Sequence, residues 1–364
     1  MRFCLLLIGL VYCCAVPAVP LKGFNTNAFL YDFPGQQFNQ AYVDTLNRLQ
    51  PDVLRFPGGT IANKYHFFKP GYGQGSALDK KTAQNYIVEF VRLIKSLDKP
   101  PKVLFVVNMF EHFHKPKQTD WELIVENLAA LLYLKEQGVE IAGVELGNEF
   151  YIYPVIRGWD IKLPDNMQKK LADTDTDEWW PDTYRKYNRL ARLYHAAIKK
   201  IDPAIPTGIP MGSSMNKNHT RWNAFAKKMT FSDAYIQHWY GQLSNATGEQ
   251  EAVANFDRFT ERVADNIKEL KDKYRKQVWI TEWNAIDFGF NNDRNMIWRQ
   301  TPLHVRLNTR MQTMLDTLNT DITIYHRISS GKQGDSYNLI NVVNGILEAN
   351  PTYEPFTRPP FVNR

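Results

Sequence analysis

The chain has 364 residues, 44% hydrophobic and 23% charged, proportions that exclude wholesale disorder. Its formal charge of +6 is too small and too evenly spread to suggest nucleic-acid binding. All three cysteines, Cys4, Cys13 and Cys14, lie within the first 20 residues, so the rest can form no disulfide, thiol nucleophile or Cys-ligated metal site.

Residues 1–20 read as a secretory signal. Met1-Arg2 is a short positive start, Phe3–Cys14 is an apolar run, and Ala15-Val16-Pro17-Ala18 supplies small residues for cleavage. The run is too short to span a bilayer, and no later stretch approaches the roughly 18 apolar residues needed. The expectation is an exported protein with no membrane insertion, probing its substrate as a monomer. Cleavage removes Arg2 and no acid, so the charge falls from +6 to +5. Two sequons begin at Asn218 and Asn245, and a eukaryotic host would be expected to glycosylate them.

Beyond residue 20, short β-type runs alternate with amphipathic helical patterns. The predicted strands are Lys22–Asn27, Asp52–Phe56, Lys102–Asn108, Ile141–Leu146, Ile205–Ile209, Ala234–His238, Gln277–Thr281 and Asp321–Tyr325. Helical patterns fall at Asn39–Leu49, Thr82–Leu97, Asp120–Gln137, Pro181–Ile201, Trp222–Met229, Ala252–Lys273 and Pro302–Asn319. In the second of these, Ile87, Phe90, Val91 and Ile94 make one apolar face. Strict alternation predicts an α/β fold, a (β/α)8 TIM barrel in a single domain over residues 21–333. An open doubly wound sheet is the rival. It would carry a Gly-rich phosphate turn after its first strand, and Gly23-Phe24-Asn25-Thr26-Asn27 is not one. Residues 334–364 are Asn/Pro-rich, too short for a sizeable accessory β-sandwich, and expected to form a tail packed on the barrel.

Catalytic groups in such a barrel come from the C-terminal strand ends. Arg55 and the Pro57-Gly58-Gly59 turn close the second strand, and Asn108 with Glu111-His112 closes the third. Asn148-Glu149 closes the fourth, His238-Trp239-Tyr240 the sixth, Glu282-Trp283-Asn284 the seventh, and His326-Arg327 the eighth. The histidines with Glu111 are in isolation a candidate zinc set, but no HExxH spacing exists, so no metal and no cofactor are expected. Trp179-Trp180 reads either as a packed loop corner or as a sugar platform.

Two stretches carry a resemblance. Gly143-Val144-Glu145-Leu146-Gly147-Asn148-Glu149 and Val278-Trp279-Ile280-Thr281-Glu282-Trp283-Asn284 resemble the strand-four and strand-seven signatures of clan A glycoside hydrolases. The Leu54–Thr60 turn is similar to that of α-L-arabinofuranosidases and of heparanase-like β-glucuronidases, while Ile280–Asn284 looks more like the β-xylosidases. The resemblance spans most of residues 22–331. It implies a retaining glycoside hydrolase acting on a polysaccharide or oligosaccharide, with Glu149 as acid/base and Glu282 as nucleophile. Burial and the charge of its partner would raise the Glu149 pKa. Arg55 would hold Glu282 ionised, Tyr240 would donate to it, and Asn148 would bond the sugar 2-hydroxyl. Trp239 and Trp283 would offer stacking faces, and Asn108, His238 and His326 would complete the substrate-binding set. Glu145, inside its strand, is expected to pair with a neighbouring strand. A catalytically inactive carbohydrate-binding barrel and a transglycosylase are the alternative readings. The basic residues Lys64, Lys115, Lys117, Arg294 and Arg299 are expected to rim the mouth and favour an anionic polymer.

Overall fold

The computed structural model describes residues 20–26, 38–63, 65–67, 86–113, 119–152, 180–213, 217–241, 243, 246–286, 298–329, 337–343 and 345–357. The signal segment before residue 20, Asn27, Lys64, Lys115, Lys117, Trp179, Asn245 and Arg294 lie outside these, as does the Asn218 side chain.

Eight parallel strands close into one barrel in sequence order. They are β1 (Leu21–Asn25), β2 (Val53–Phe56), β3 (Lys102–Val106), β4 (Ile141–Glu145), β5 (Thr207–Met211), β6 (Ala234–Tyr240), β7 (Gln277–Asn284) and β8 (Ile322–Tyr325). The helices are α1 (Gln40–Leu49), α2 (Gly59–Ala62), α3 (Tyr86–Lys95), α4 (Asp120–Glu136), α5 (Trp180–Ile201), α6 (Lys217–Ala226), α7 (Glu249–Tyr274) and α8 (Pro302–Thr317). The predicted TIM barrel is therefore the observed fold. Local chemistry sets the helix starts. Thr119 and Glu122 form a reciprocal capping box on α4, and Thr301 caps α8 ahead of Pro302.

Strand alternation builds two cores. Val53, Leu104, Ala234, Ile236, Trp279, Ile322 and Ile324 cluster inside the barrel. Leu54, Phe56, Phe105, Val144 and Tyr235 belong to a larger cluster with the helices. Trp279 plugs the interior across Gly143 and Gly208, where any Cβ would come within 2.6 to 2.7 Å of a neighbouring side chain. Above this apolar plug the inward positions turn polar. Arg55 follows Val53 by two residues, and His238 follows Ile236 in the same way.

Two strands run further than the sequence suggests. On β6 and β7, Trp239 pairs with Trp283 and Tyr240 with Asn284, so residues read as loop are ladder. The register shifts beyond Gln237, and His238 pairs with Glu282 while Gln237 pairs with Ile280. Thr281 is the extra residue of this bulge, and it resets which side chains of β7 face inward. The fifth strand starts later than predicted, because its pairing with β4 begins at Thr207. Helix α6 begins before the predicted Trp222 and stops at Ala226.

In the tail, β9 (Ile340–Val343) and β10 (Ile346–Ala349) form an antiparallel hairpin. Beyond it, the Phe356 ring lies 5.9 Å from Phe24 and 4.6 Å from Tyr325. Among the described residues, no helix is long and apolar enough to cross a membrane.

Candidate active site

Arg55 anchors the polar layer. It is fully buried, and its Nε and Nη2 donate to the two Glu145 oxygens at 2.7 Å each. Nη1 donates to Glu282 Oε1 at 2.5 Å, and Nη2 also reaches Asn148 Oδ1 at 2.8 Å. Burial alone would lower the Arg55 pKa, but the charges of Glu145 and Glu282 outweigh it and hold the guanidinium fully protonated. Glu145 is thus a buried ion-pair partner, as expected. Its partner is on β2, however, two strands away rather than adjacent.

Glu282 is 4% exposed. Its Oε2 accepts a short bond from the Tyr240 hydroxyl, and Asn25 Nδ2 donates to Oε1 at 3.3 Å. Burial pushes this carboxyl up; the charges of His238 and Arg55 and the Tyr240 hydroxyl overcome it and hold it well below the usual range. His326 Nδ1 also approaches Oε2, at 3.6 Å. Burial lowers the His326 pKa to about 3, so this contact is no ion pair. Burial likewise keeps the Tyr240 phenol protonated, aided by the charge of Glu282.

Glu149 sits in a different setting. It takes a left-handed φ of 46°, a conformation costing roughly 1 to 3 kcal/mol in a non-glycine residue. Its Oε1 accepts from Tyr151 Oη at 2.9 Å and contacts His238 Nδ1 at 2.9 Å. The Glu149 side chain is 22% exposed, against 5% for Glu282. His238 bridges the two acids, with Nδ1 also 3.5 Å from Glu282 Oε2 and Nε2 on Thr281 Oγ1 at 3.0 Å. Burial would lower the His238 pKa, but the charges of Glu282 and Glu149 raise it above its ordinary value.

Ligand atoms of Glu149, His238 and Glu282 all lie within 4.8 Å of one another, a spacing that could hold a cation. The donor set fits one poorly. The Arg55 guanidinium already occupies Glu282 Oε1, the Tyr240 hydroxyl already occupies Oε2, and a raised His238 pKa opposes metal binding through its neutral ring.

The structure brings Arg55, Asn148, Glu149, His238, Tyr240, Glu282 and His326 together. It does not bring the others. Asn108 is fully buried, and its Nδ2 donates to the Tyr65 carbonyl while its Oδ1 accepts from Glu111 N. Its amide is committed to the loop backbone rather than to a ligand. Trp283 is also fully buried, with its ring 5.1 Å from Tyr325 and 6.0 Å from Phe356. Trp239 packs 6.1 Å from Phe259 of α7. Both tryptophans face the helix layer, because they neighbour inward residues on their strands. Arg299 is 9% exposed, with its guanidinium 4.8 Å from the Tyr337 ring centre, and is no solvated rim charge. Asn25, Tyr151 and Thr281 belong to the site without having been singled out. The signal for Asn25 was available, since it lies two residues beyond Gly23 on the first strand.

No family profile matches the chain, and no curated protein matches it significantly in sequence. Solved glycoside hydrolases share its fold. An α-L-arabinofuranosidase from Thermotoga maritima in complex with arabinose is 15% identical at a TM-score of 0.58, covering 88% of this chain and 63% of that one. The chain therefore spans under two thirds of that enzyme. A GH51 α-L-arabinofuranosidase from Thermotoga petrophila is 15% identical at a TM-score of 0.59, covering 94% and 69%. The GH53 catalytic domain from Ignisphaera aggregans is 14% identical at a TM-score of 0.56, covering 94% and 97%. At these identities the likeness establishes the eight-stranded parallel barrel.

Proposed function

We propose that the chain is a secreted, retaining glycoside hydrolase that cleaves O-glycosidic bonds of a polysaccharide or oligosaccharide. The observation that carries this reading is the contrast between two carboxyl groups at one barrel mouth. Oxygens of Glu149 and Glu282 approach within 4.8 Å, close to the roughly 5 to 5.5 Å of retaining enzymes and too near for an intervening nucleophilic water. Glu282 is held ionised by Arg55 and Tyr240, as a nucleophile must be. Glu149 keeps one oxygen, Oε2, free of protein partners among the described residues, and is the more open of the two.

In this mechanism Glu282 Oε2 attacks the anomeric carbon as Glu149 gives its proton to the departing glycosidic oxygen. The Tyr240 hydroxyl bond to Oε2 loosens as that oxygen loses its charge. Glu149 then takes a proton from water, which attacks the glycosyl–enzyme ester and frees Glu282. Asn148, whose Oδ1 is fixed by Arg55, keeps its Nδ2 for a sugar hydroxyl. The fold it shares with arabinofuranosidases supports a carbohydrate substrate. Transglycosylation remains the second reading, since it uses the same ester. Product analysis on arabinan, xylan, galactan and uronate-bearing glycans tests both. Release of free sugar with retained anomeric configuration is expected; inversion, or no cleavage of any glycan, sinks the reading.

A further inference from the structure

Asn25 Nδ2 lies between two acceptors, 3.3 Å from Glu282 Oε1 and 3.1 Å from His326 Nδ1. The orientation of this amide follows from the carboxylate. An ionised carboxylate only accepts, so the atom facing it must be the nitrogen. The same nitrogen then donates its second proton to His326 Nδ1. Burial supports a neutral ring, lowering the His326 pKa to about 3. A neutral imidazole that accepts at Nδ1 carries its proton on Nε2.

His326 Nε2 has no protein partner among the described residues, and the residue is 8% exposed at the C-terminal mouth, where Glu282 also lies. The ring is held edge-on by Tyr240 at 5.7 Å and by Tyr337 at 6.0 Å. The Pro57-Gly58-Gly59 turn makes room for this arm. Gly58 has φ 60°, and a Cβ there would fall 2.1 Å from Asn25 Oδ1.

We propose that Asn25 and His326 form a tautomer-locked hydrogen-bond donor beside the nucleophile, in which His326 Nε2–H binds a hydroxyl oxygen of the sugar ring attacked by Glu282. His326 is then a specificity-determining residue and Asn25 its positioning residue. This rests on the hydrolase reading and deepens it by naming the contact. A neutral donor suits an uncharged hydroxyl, and it needs no titration across the working range of the two acids. The donor also remains when Glu282 becomes an ester, because Asn25 still faces a carbonyl oxygen that only accepts.

The test has a structural arm and a kinetic arm. Two-dimensional 15N–1H correlation of the histidine rings in the full chain, assigned by His326→Gln, reads the tautomer directly. A proton on Nε2 that shifts toward Nδ1 or becomes mixed in Asn25→Ala is expected. A wild-type proton on Nδ1, or an imidazolium at pH 6, overturns the proposal. The kinetic arm uses 4-nitrophenyl glycosides of arabinofuranose, xylose and glucuronic acid, with monodeoxy analogues of whichever turns over. His326→Ala and His326→Asn should lose about tenfold in kcat/KM, while His326→Gln, which places a donor near Nε2, should stay within about threefold. On one deoxy analogue the His326→Ala penalty should shrink below about twofold, because the partner oxygen is gone. Equal penalties on every analogue, or no difference between Gln and Asn, overturn the proposal while wild-type turnover keeps the hydrolase reading. Absence of wild-type turnover on all three glycosides, and on the glycan panel, removes the hydrolase reading and the proposal with it.

Discussion

Arg55 is bound to Glu145 by two bonds of 2.7 Å before it reaches Glu282 at all. The pair spans from β2 to β4 across the intervening strand, with no solvent exposure on either side chain. Glu145 therefore neutralises part of the guanidinium and aims its remaining Nη1 at Glu282. An Arg held on one side only would be free to swing. Held on both, it presents a fixed charge, and electrostatic stabilisation depends on such preorganisation.

Removing one member of this triad leaves buried charge uncompensated. Arg55→Ala should destabilise the fold by about 3 to 5 kcal/mol, the cost of breaking a buried pair. Glu145→Gln should cost less stability, yet still lower kcat, because Arg55 loses its second anchor. Urea unfolding and steady-state rates on the same samples check this. A Glu145→Gln variant with full activity would reject the positioning role.

The two carboxyl groups should respond differently to substitution. Glu282→Ala should abolish turnover on every substrate, since the covalent step is lost. Glu149→Ala should spare glycosylation with 2,4-dinitrophenyl leaving groups, which need no protonation. Azide should then restore part of its turnover by attacking the glycosyl–enzyme without a general base. Unrescuable loss in both variants would sink the assignment.

The barrel was legible because its eight strands and all its helices but the single-turn α2 carried their own periodicity, and the interior polar column was legible at the strand ends; the tail hairpin of β9 and β10 was not read. Arg55, Glu149, Tyr240 and Glu282 could be placed at one mouth on that basis alone. What escaped was facing. Trp283 follows Glu282 directly, so in a strand it must point the other way, but the strand was read as ending at Thr281. The bulge at Thr281 has no sequence signature, and it decides that Glu282 faces inward. Asn108 escaped for another reason: a strand-end amide serves a loop backbone as readily as a sugar.

Trp283 accordingly tests stability rather than affinity. Trp283→Ala should cost about 3 to 5 kcal/mol, as for other large buried aromatics. Trp283→Phe should be much milder, because the indole Nε1 is buried without a partner among the described residues, so its removal loses no hydrogen bond seen there. KM should change less than about twofold in Trp283→Phe. A large rise in KM with unchanged Tm would restore a sugar-stacking role.

Stability should peak in mildly acidic solution. The Glu282 pKa is depressed in the folded protein from an ordinary value of 4.5, so its contribution is present above that value and fades as pH falls through the folded pKa. The His238 pKa is raised from an ordinary 6.5, so its contribution is complete below 6.5 and is lost as pH rises through the folded pKa. His238→Gln should flatten the alkaline side of a Tm–pH profile and also weaken the acidic side, because the His238 charge is the largest of those that hold Glu282 down. Glu282→Gln should flatten both, because the Glu282 charge is what chiefly raises His238. An unchanged alkaline limb in His238→Gln would refute the assignment.

The remaining prediction concerns the polymer. Without residues 1–20 the chain keeps a net charge of +5, and the Arg55–Thr60 turn resembles that of heparanase-like enzymes as well as that of arabinofuranosidases. An anionic glycan would be drawn to the mouth by the basic residues of its loops. The structure removes one of them, Arg299, whose guanidinium lies over Tyr337. The inner site also argues the other way, since Glu145, Glu149 and Glu282 face one arginine and one histidine there. Any attraction must therefore act at the rim, along the chain flanking the cleaved sugar, and not in the subsite that holds it. Such attraction is screened as the Debye length falls from about 10 Å at 0.1 M salt to about 3 Å at 1 M. On uronate- or sulfate-bearing polymers kcat/KM should fall steeply across that range, while kcat/KM on a short aryl glycoside should hardly move. Salt-independent rates, with arabinan or xylan preferred, would reject the anionic reading and leave the neutral polymers as substrates.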